Sequence, residues 1–159
     1  MSLVTWESQP SGDRRSRLAQ VAQRRWGIKV LLVEDDIADA NLILSVLKRH
    51  PEVWIVRAEN TPDSALSVLS SGKLTPDLVL LDIHMPRLNG FQFLEVLRRI
   101  PGTATLPVVF LTTSCLEKDV IAAKQSSASL YVIKPETYLD LQIQLDRVVK
   151  RTLSGNWER

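Results

Sequence analysis

Asp82 closes an uninterrupted apolar run, Leu78-Val79-Leu80-Leu81, and leads into Ile83-His84-Met85-Pro86-Arg87-Leu88-Asn89-Gly90. A short continuous apolar run reads as a strand buried on both faces. In an open parallel α/β sheet, ligands bind outside the carboxyl ends of the strands. A carboxylate at that rim is placed to be a metal ligand, a nucleophile, or both. A second run, Val30-Leu31-Leu32-Val33, ends in the same way in Glu34-Asp35-Asp36. Two strands of one parallel sheet bring Asp35 and Asp82 to one edge. Crowded carboxylates repel and raise each other's pKa unless a cation neutralises them. The hard cation that takes one or two carboxylates and keeps several waters is Mg2+. Acids at a helix start also serve as caps. Capping explains the acidic run alone but does not explain Asp82.

Two more strand ends add a hydroxyl and an ammonium. Val108-Val109-Phe110-Leu111 ends in Thr112-Thr113-Ser114, and Leu130-Tyr131-Val132-Ile133 ends in Lys134-Pro135. An acid pair, an Asp, a Thr and a Lys at successive strand ends are what aspartyl-phosphate chemistry requires. The Asp attacks phosphorus, Mg2+ and Lys neutralise the phosphoryl oxygens, and the hydroxyl donates a hydrogen bond to one of them.

The elements that must hold these residues alternate. Strands are expected over Lys29–Glu34, Val53–Ala58, Asp77–Leu81, Pro107–Leu111 and Ser129–Ile133. Helices are expected over Ile37–Arg49, Pro62–Ser70, Gly90–Ile100, Glu117–Gln125 and Tyr138–Leu153. The first helix has the stripe Ile37, Leu42, Ile43, Val46 and Leu47, expected to face the sheet. Thr61 caps the second, with Pro62 in its first turn. Strand then helix, repeated five times, predicts an α/β fold with a doubly wound parallel sheet and helices on both faces. The domain is expected over 28–153. Ahead of it lies a polar, basic extension, 1–27, with a helix from Asp13 to Arg25, and behind it a tail, 154–159. Trp157 is expected to fray with that tail. Pro101–Thr105 reads as a surface loop, His50 as a surface residue at a helix end, and Cys115 as a buried helix-start residue.

These motifs in combination resemble the receiver domain of two-component response regulators. They are Val33-Glu34-Asp35-Asp36, Leu81-Asp82-x-x-Met85-Pro86-x-x-x-Gly90, Leu111-Thr112-Thr113 and Lys134-Pro135. The resemblance runs from about Ile28 to Lys150 and is to the stand-alone type. It implies the flavodoxin-like strand order 2-1-3-4-5. It implies that Asp82 is the phosphoacceptor and that Glu34, Asp35, Asp82 and the backbone carbonyl of His84 hold Mg2+, with the His84 ring facing solvent. It implies that Thr112 is the switch hydroxyl, Lys134 the phosphate-sensing lysine, and Tyr131 the rotameric aromatic switch. The catalytic set is then Asp82, Thr112 and Lys134. The chain departs from the common pattern at Leu130, Glu136 and Thr113, and the larger Thr113 is expected to narrow access to Asp82.

The resemblance also implies a phosphoprotein of signal transduction rather than an enzyme with a turned-over substrate. The expected donor is a histidine kinase or a histidine phosphotransfer protein. The residues after the last helix are too few for an output domain, so, unless the chain is a fragment, a downstream protein or a second copy of the chain is expected to read the signal. An adaptor that ignores phosphate does not need all of Glu34, Asp35, Asp82, Thr112 and Lys134. A haloacid-dehalogenase-like phosphatase resembles an Asp-x-Asp on the first strand, whereas here Asp82 lies on the third and His84 stands at the second position.

Bulk properties agree. The chain has 159 residues and a net charge of +2. Residues 1–27 carry +3, five arginines against Glu7 and Asp13, so the rest carries −1. A nearly neutral domain has no electrostatic footprint for direct nucleic-acid binding. No apolar run reaches the roughly 18 residues of a membrane span. The single cysteine fits a reducing, cytoplasmic setting.

Overall fold

The structure, a computed structural model, describes residues 27–157. The helix expected over Asp13–Arg25 and most of the basic extension lie outside the described residues. Five strands alternate with five helices. In chain order these are β1 (Ile28–Val33), α1 (Ile37–Leu47), β2 (Val53–Glu59), α2 (Pro62–Ser70), β3 (Leu78–Leu81), α3 (Gly90–Leu97), β4 (Val108–Thr112), α4 (Glu117–Gln125), β5 (Leu130–Ile133) and α5 (Tyr138–Ser154). All pairings are parallel, and the strand order is β2-β1-β3-β4-β5. This is the flavodoxin-like order that the resemblance implied.

Successive residues of a strand point to opposite faces, and here both faces are covered. Leu31, Val33, Val79, Leu81, Val108 and Phe110 pack with residues of α2 and α3. Their neighbours Val30, Leu32, Leu78, Leu80, Val109 and Leu111 pack with α1 and α5. That two-sided burial is why these strands read as unbroken apolar runs.

The order reverses between β1 and β3: the chain leaves β1 for β2 on one side and returns to β3 on the other. Register completes the placement. Val33 pairs with Leu81, and Leu81 pairs with Phe110. Glu34 and Asp82 therefore leave the sheet side by side at the switch point, where such sheets bind ligands.

Local chemistry sets the helix ends. Asp36, Thr61, Asn89 and Thr137 each accept a backbone N–H of the helix that follows, and Asn89 with Gln92 forms a complete capping box. α3 ends at Leu97 rather than Ile100. The Thr103 hydroxyl donates to the Leu97 and Ile100 carbonyls, and the Arg98 guanidinium donates to the carbonyls of Thr103, Leu106 and Ser127. Thr103 is thus a buried tie within the loop expected on the surface.

Four other expectations are corrected. α1 buries Ala40, Ile43, Val46 and Leu47, while Ile37 and Leu42 are exposed, so its stripe is rotated. His50 is nearly buried: its ring bonds Asp146 at 3.3 Å and accepts the Glu52 N–H at 3.1 Å. Cys115 is exposed. Trp157 packs on the cluster beneath α5 instead of fraying.

Candidate functional site

The carboxyl edge of the sheet gathers the polar residues that end the apolar runs of β1, β3, β4 and β5. Asp82 is 6% exposed, Glu34 1% and Thr112 0%. Burying charged groups is costly unless they are paired or bind a metal. Carboxylate oxygens of Glu34, Asp35 and Asp82 lie within 4.8 Å of one another. Asp36, the remaining acid of the run, is exposed and caps α1 by accepting from Asp39 N at 2.9 Å. The capping role therefore belongs to Asp36, and the cluster to its two predecessors and Asp82.

Asp82 uses one oxygen locally: Oδ2 accepts the His84 N–H at 3.1 Å. Its Oδ1 is buried with no hydrogen-bond partner. Leaving such an acceptor unsatisfied is costly, so a native site of this kind calls for an occupant. Three convergent carboxylates with one orphaned oxygen fit a hard divalent cation.

Lys134, placed by the end of β5, is the cation already at the edge. Its Nζ donates to Glu34 Oε2 at 2.6 Å and Asp39 Oδ2 at 2.7 Å, and lies 3.7 Å from Asp82 Oδ1. Desolvation pushes the Glu34 carboxyl up to about 7, against the lowering pull of Lys134. Burial by itself would lower the Lys134 ammonium, but its hydrogen bonds to Asp39 and Glu34 and the charges of Asp82 and Glu34 together hold it above its ordinary value.

Thr112 ends β4, and its Oγ1 accepts the Ser114 N–H at 3.3 Å. Tyr131, half-buried on β5, donates its hydroxyl proton to the Ser114 carbonyl at 2.8 Å. Thr113, in contrast, is exposed. The His84 ring is half-exposed, and it also bonds Asp119 Oδ2 at 3.0 Å, a partner the sequence did not suggest. The Ser114 hydroxyl donates to the same oxygen at 2.5 Å. The Ser114 bond foremost, and the His84 bond after it, hold the Asp119 carboxyl below the usual carboxylate range in spite of burial.

This edge brings together Glu34, Asp35, Asp82 and Lys134, with His84 bonded to Asp82 and with Thr112 and Tyr131 linked through Ser114. It adds three that sequence reading missed, Asp39, Ser114 and Asp119. Asp39 and Asp119 sit in first helical turns, where acids are common for capping reasons alone. Only their helix faces distinguish them.

A model of the response regulator receiver domain matches residues 30–146. This chain belongs to that family. Protein PilH of Pseudomonas aeruginosa is 34% identical over 107 residues, covering 67% of this chain and 85% of PilH. Response regulator Rcp1 of Synechocystis sp. is 32% identical over 127 residues, covering 70% of this chain and 80% of Rcp1. The crystal structure of the Mn(2+)-bound form of Rcp1 aligns with a TM-score of 0.70 at 29% identity, over 81% of this chain and 96% of that one. The phosphorylated cyanobacterial phytochrome response regulator RcpA aligns with a TM-score of 0.74 at 27% identity, over 82% and 96% of the two chains. This receiver is therefore a signalling domain of two-component systems, a family in which aspartyl phosphate and a bound divalent metal are general features. No helix among its described residues is long and apolar enough to cross a membrane.

Proposed function

We propose that this receiver takes a phosphoryl group onto Asp82 from the phosphohistidine of a histidine kinase or a histidine phosphotransfer protein, in a Mg2+-dependent reaction, and thereby switches a protein-binding surface. The observation that carries the reading is the buried Oδ1 of Asp82, without a hydrogen-bond partner among three clustered carboxylates. One Asp82 oxygen forms the new O–P bond as the P–N bond to the donor imidazole breaks. The imidazole leaves with the bonding pair and takes up a proton.

Glu34, Asp35, Asp82 and the backbone carbonyl of His84 are the residues assigned to Mg2+. Bound there, the ion supplies positive charge to the phosphoryl oxygens. Lys134, already 3.7 Å from Asp82 Oδ1, shifts from Glu34 and Asp39 to pair with a phosphoryl oxygen attached there. Thr112 Oγ1 donates to another. Phosphate adds roughly −1.5 to −2 charge at this edge, and Tyr131 on β5 lies on the path from Thr112 to the α4–β5–α5 face.

Intact mass after incubation with Mg2+ and acetyl phosphate tests the reading. The wild type gains one phosphate that hydroxylamine removes, and Asp82→Asn gains none. Equal labelling of the Asn variant overturns the assignment.

A further inference from the structure

α4 is held to the domain in an unusual way. Its sequence Glu117-Lys118-Asp119-Val120-Ile121-Ala122-Ala123-Lys124-Gln125 buries only Asp119 and Ala123. Ile121 and the preceding Leu116 are exposed, and Leu116, at the N-cap position, makes no side-chain cap bond. α3, by comparison, buries Gly90, Phe93, Leu94 and Leu97. A helix docked by an apolar stripe draws on the hydrophobic effect, at roughly 1.5–3 kcal/mol per large side chain. α4 fully buries one alanine for that purpose, with Val120 and Ala122 half-buried beside it. The buried carboxylate of its first turn therefore carries much of its placement.

That carboxylate is bonded to both chemical loops. Its Oδ2 accepts the Ser114 hydroxyl and the His84 Nε2–H. His84 stands two residues after Asp82, and its own N–H bonds Asp82 Oδ2. Ser114 stands two residues after Thr112, and its N–H bonds Thr112 Oγ1. The Ser114 carbonyl also accepts the Tyr131 hydroxyl. Asp119 thus closes a continuous hydrogen-bonded path, Asp82 to His84 to Asp119 to Ser114 to Thr112, with its apex on α4.

We propose that Asp119 is a positioning residue that couples the phosphorylation chemistry to α4. The inference rests on the reading of Asp82 as phosphoacceptor. When Thr112 turns its hydroxyl to the phosphoryl group, the Ser114 N–H loses or follows its acceptor. Displacement of Ser114 is delivered to Asp119 and so to the first turn of α4. The His84 arm keeps the same carboxylate registered to the Asp82 loop. Asp119 does not touch the reacting atoms. It decides whether their rearrangement reaches the helix.

Hydrogen exchange of the full-length protein, read peptide by peptide with and without Mg2+ and acetyl phosphate, tests this. In the wild type, labelling changes the exchange of residues 117–125. Asp119→Ala still takes up phosphate, read by intact mass in the same samples, and its β1 and β3 amides stay protected. Its α4 amides exchange about tenfold faster before labelling, as loss of a buried charge-assisted bond implies, and change little on labelling. Ser114→Ala, a milder change, also reduces the phosphate-dependent difference in α4. Asp119→Asn, which keeps an acceptor for Ser114, restores part of it. A phosphate-dependent change in α4 of wild-type size in both Asp119→Ala and Ser114→Ala overturns the coupling. A wild type that takes up no phosphate overturns the underlying reading instead.

Discussion

The ammonium of Lys134 stands 3.7 Å from Asp82 Oδ1, outside hydrogen-bonding reach, while Glu34 and Asp39 hold it at 2.6 and 2.7 Å. The lysine is parked beside Asp82 rather than bound to it. Asp39 is the more exposed of its two partners, so its hold is the weaker and more readily exchanged. Asp39→Asn should release the lysine toward the phosphoryl position and strengthen binding of beryllofluoride, a phosphoryl mimic, by about two- to fivefold, in line with a partly exposed ion pair. Titration followed by NMR shifts reads the change. Weaker binding in Asp39→Asn would show that Asp39 presents the lysine instead of restraining it. Lys134→Ala should still take up some phosphate, yet fail to alter the α4–β5–α5 face.

The acidity of Glu34 makes stability depend on pH and metal. Burial raises its carboxyl from 4.5 to about 7. The folded protein then binds more protons than the unfolded chain between those values, so stability falls as pH rises through that window. At 1.36 kcal/mol per pKa unit, the loss is on the order of 3 kcal/mol. The metal-free protein should melt at a lower temperature at pH 8 than at pH 5.5. Mg2+ should return much of the loss at pH 8 by neutralising the ionised carboxylates, and should return less at pH 5.5, where Glu34 is already protonated. Asp35→Ala should remove both the Mg2+ response and phosphate uptake while keeping the fold. A melting temperature that rises from pH 5.5 to 8 without metal would contradict the burial argument.

Gly90 opens α3 directly against the loop after Asp82, its N–H bonding the Ile83 carbonyl at 2.9 Å. A Cβ there would lie 2.5 Å from the Asp82 carbonyl oxygen and 2.9 Å from Ile83 Cα, both backbone atoms with nowhere to move. Gly90→Ala should cost about 2–3 kcal/mol in urea unfolding, the overpacking range. It should also slow phosphate uptake, because relief of the clash shifts Asp82. A stability loss below about 0.5 kcal/mol, typical of an unconstrained surface site, would mean that the loop yields freely.

α5 leaves apolar surface beside its buried stripe. Leu141, Leu145, Val148 and Val149 face the sheet, while Leu139 and Ile143 are 64% and 42% exposed. Phosphorylation is expected to raise the dimer fraction in sedimentation, and Ile143→Asp to lower it without unfolding the domain. A dimer that responds to phosphate needs affinities in the two states that differ by a few kcal/mol. If both states stay monomeric at high concentration, the face serves a different protein.

What the sequence by itself determined is the set of strands and the chemistry at their ends. Leu78–Leu81, Val30–Val33 and Val108–Leu111 are buried on both faces, so composition alone marks them, and the polar residue that stops each run must lie at the sheet edge. Asp82, Glu34 and Thr112 were legible for that reason. Helix azimuth was not. Ile37 and Leu42 belong to an apolar stripe, yet α1 docks on Ala40, Ile43, Val46 and Leu47, because packing against β-strands selects which part of a broad stripe is covered. The cross-links were equally hidden. Asp39 meets Lys134 from 95 residues away, and Asp119 meets His84 from 35. An acid in a first helical turn looks the same whether it caps, faces solvent or binds a distant partner. Only the tertiary structure decided among these, by bringing the first turns of α1 and α4 to the carboxyl edge where Lys134 and His84 already stand.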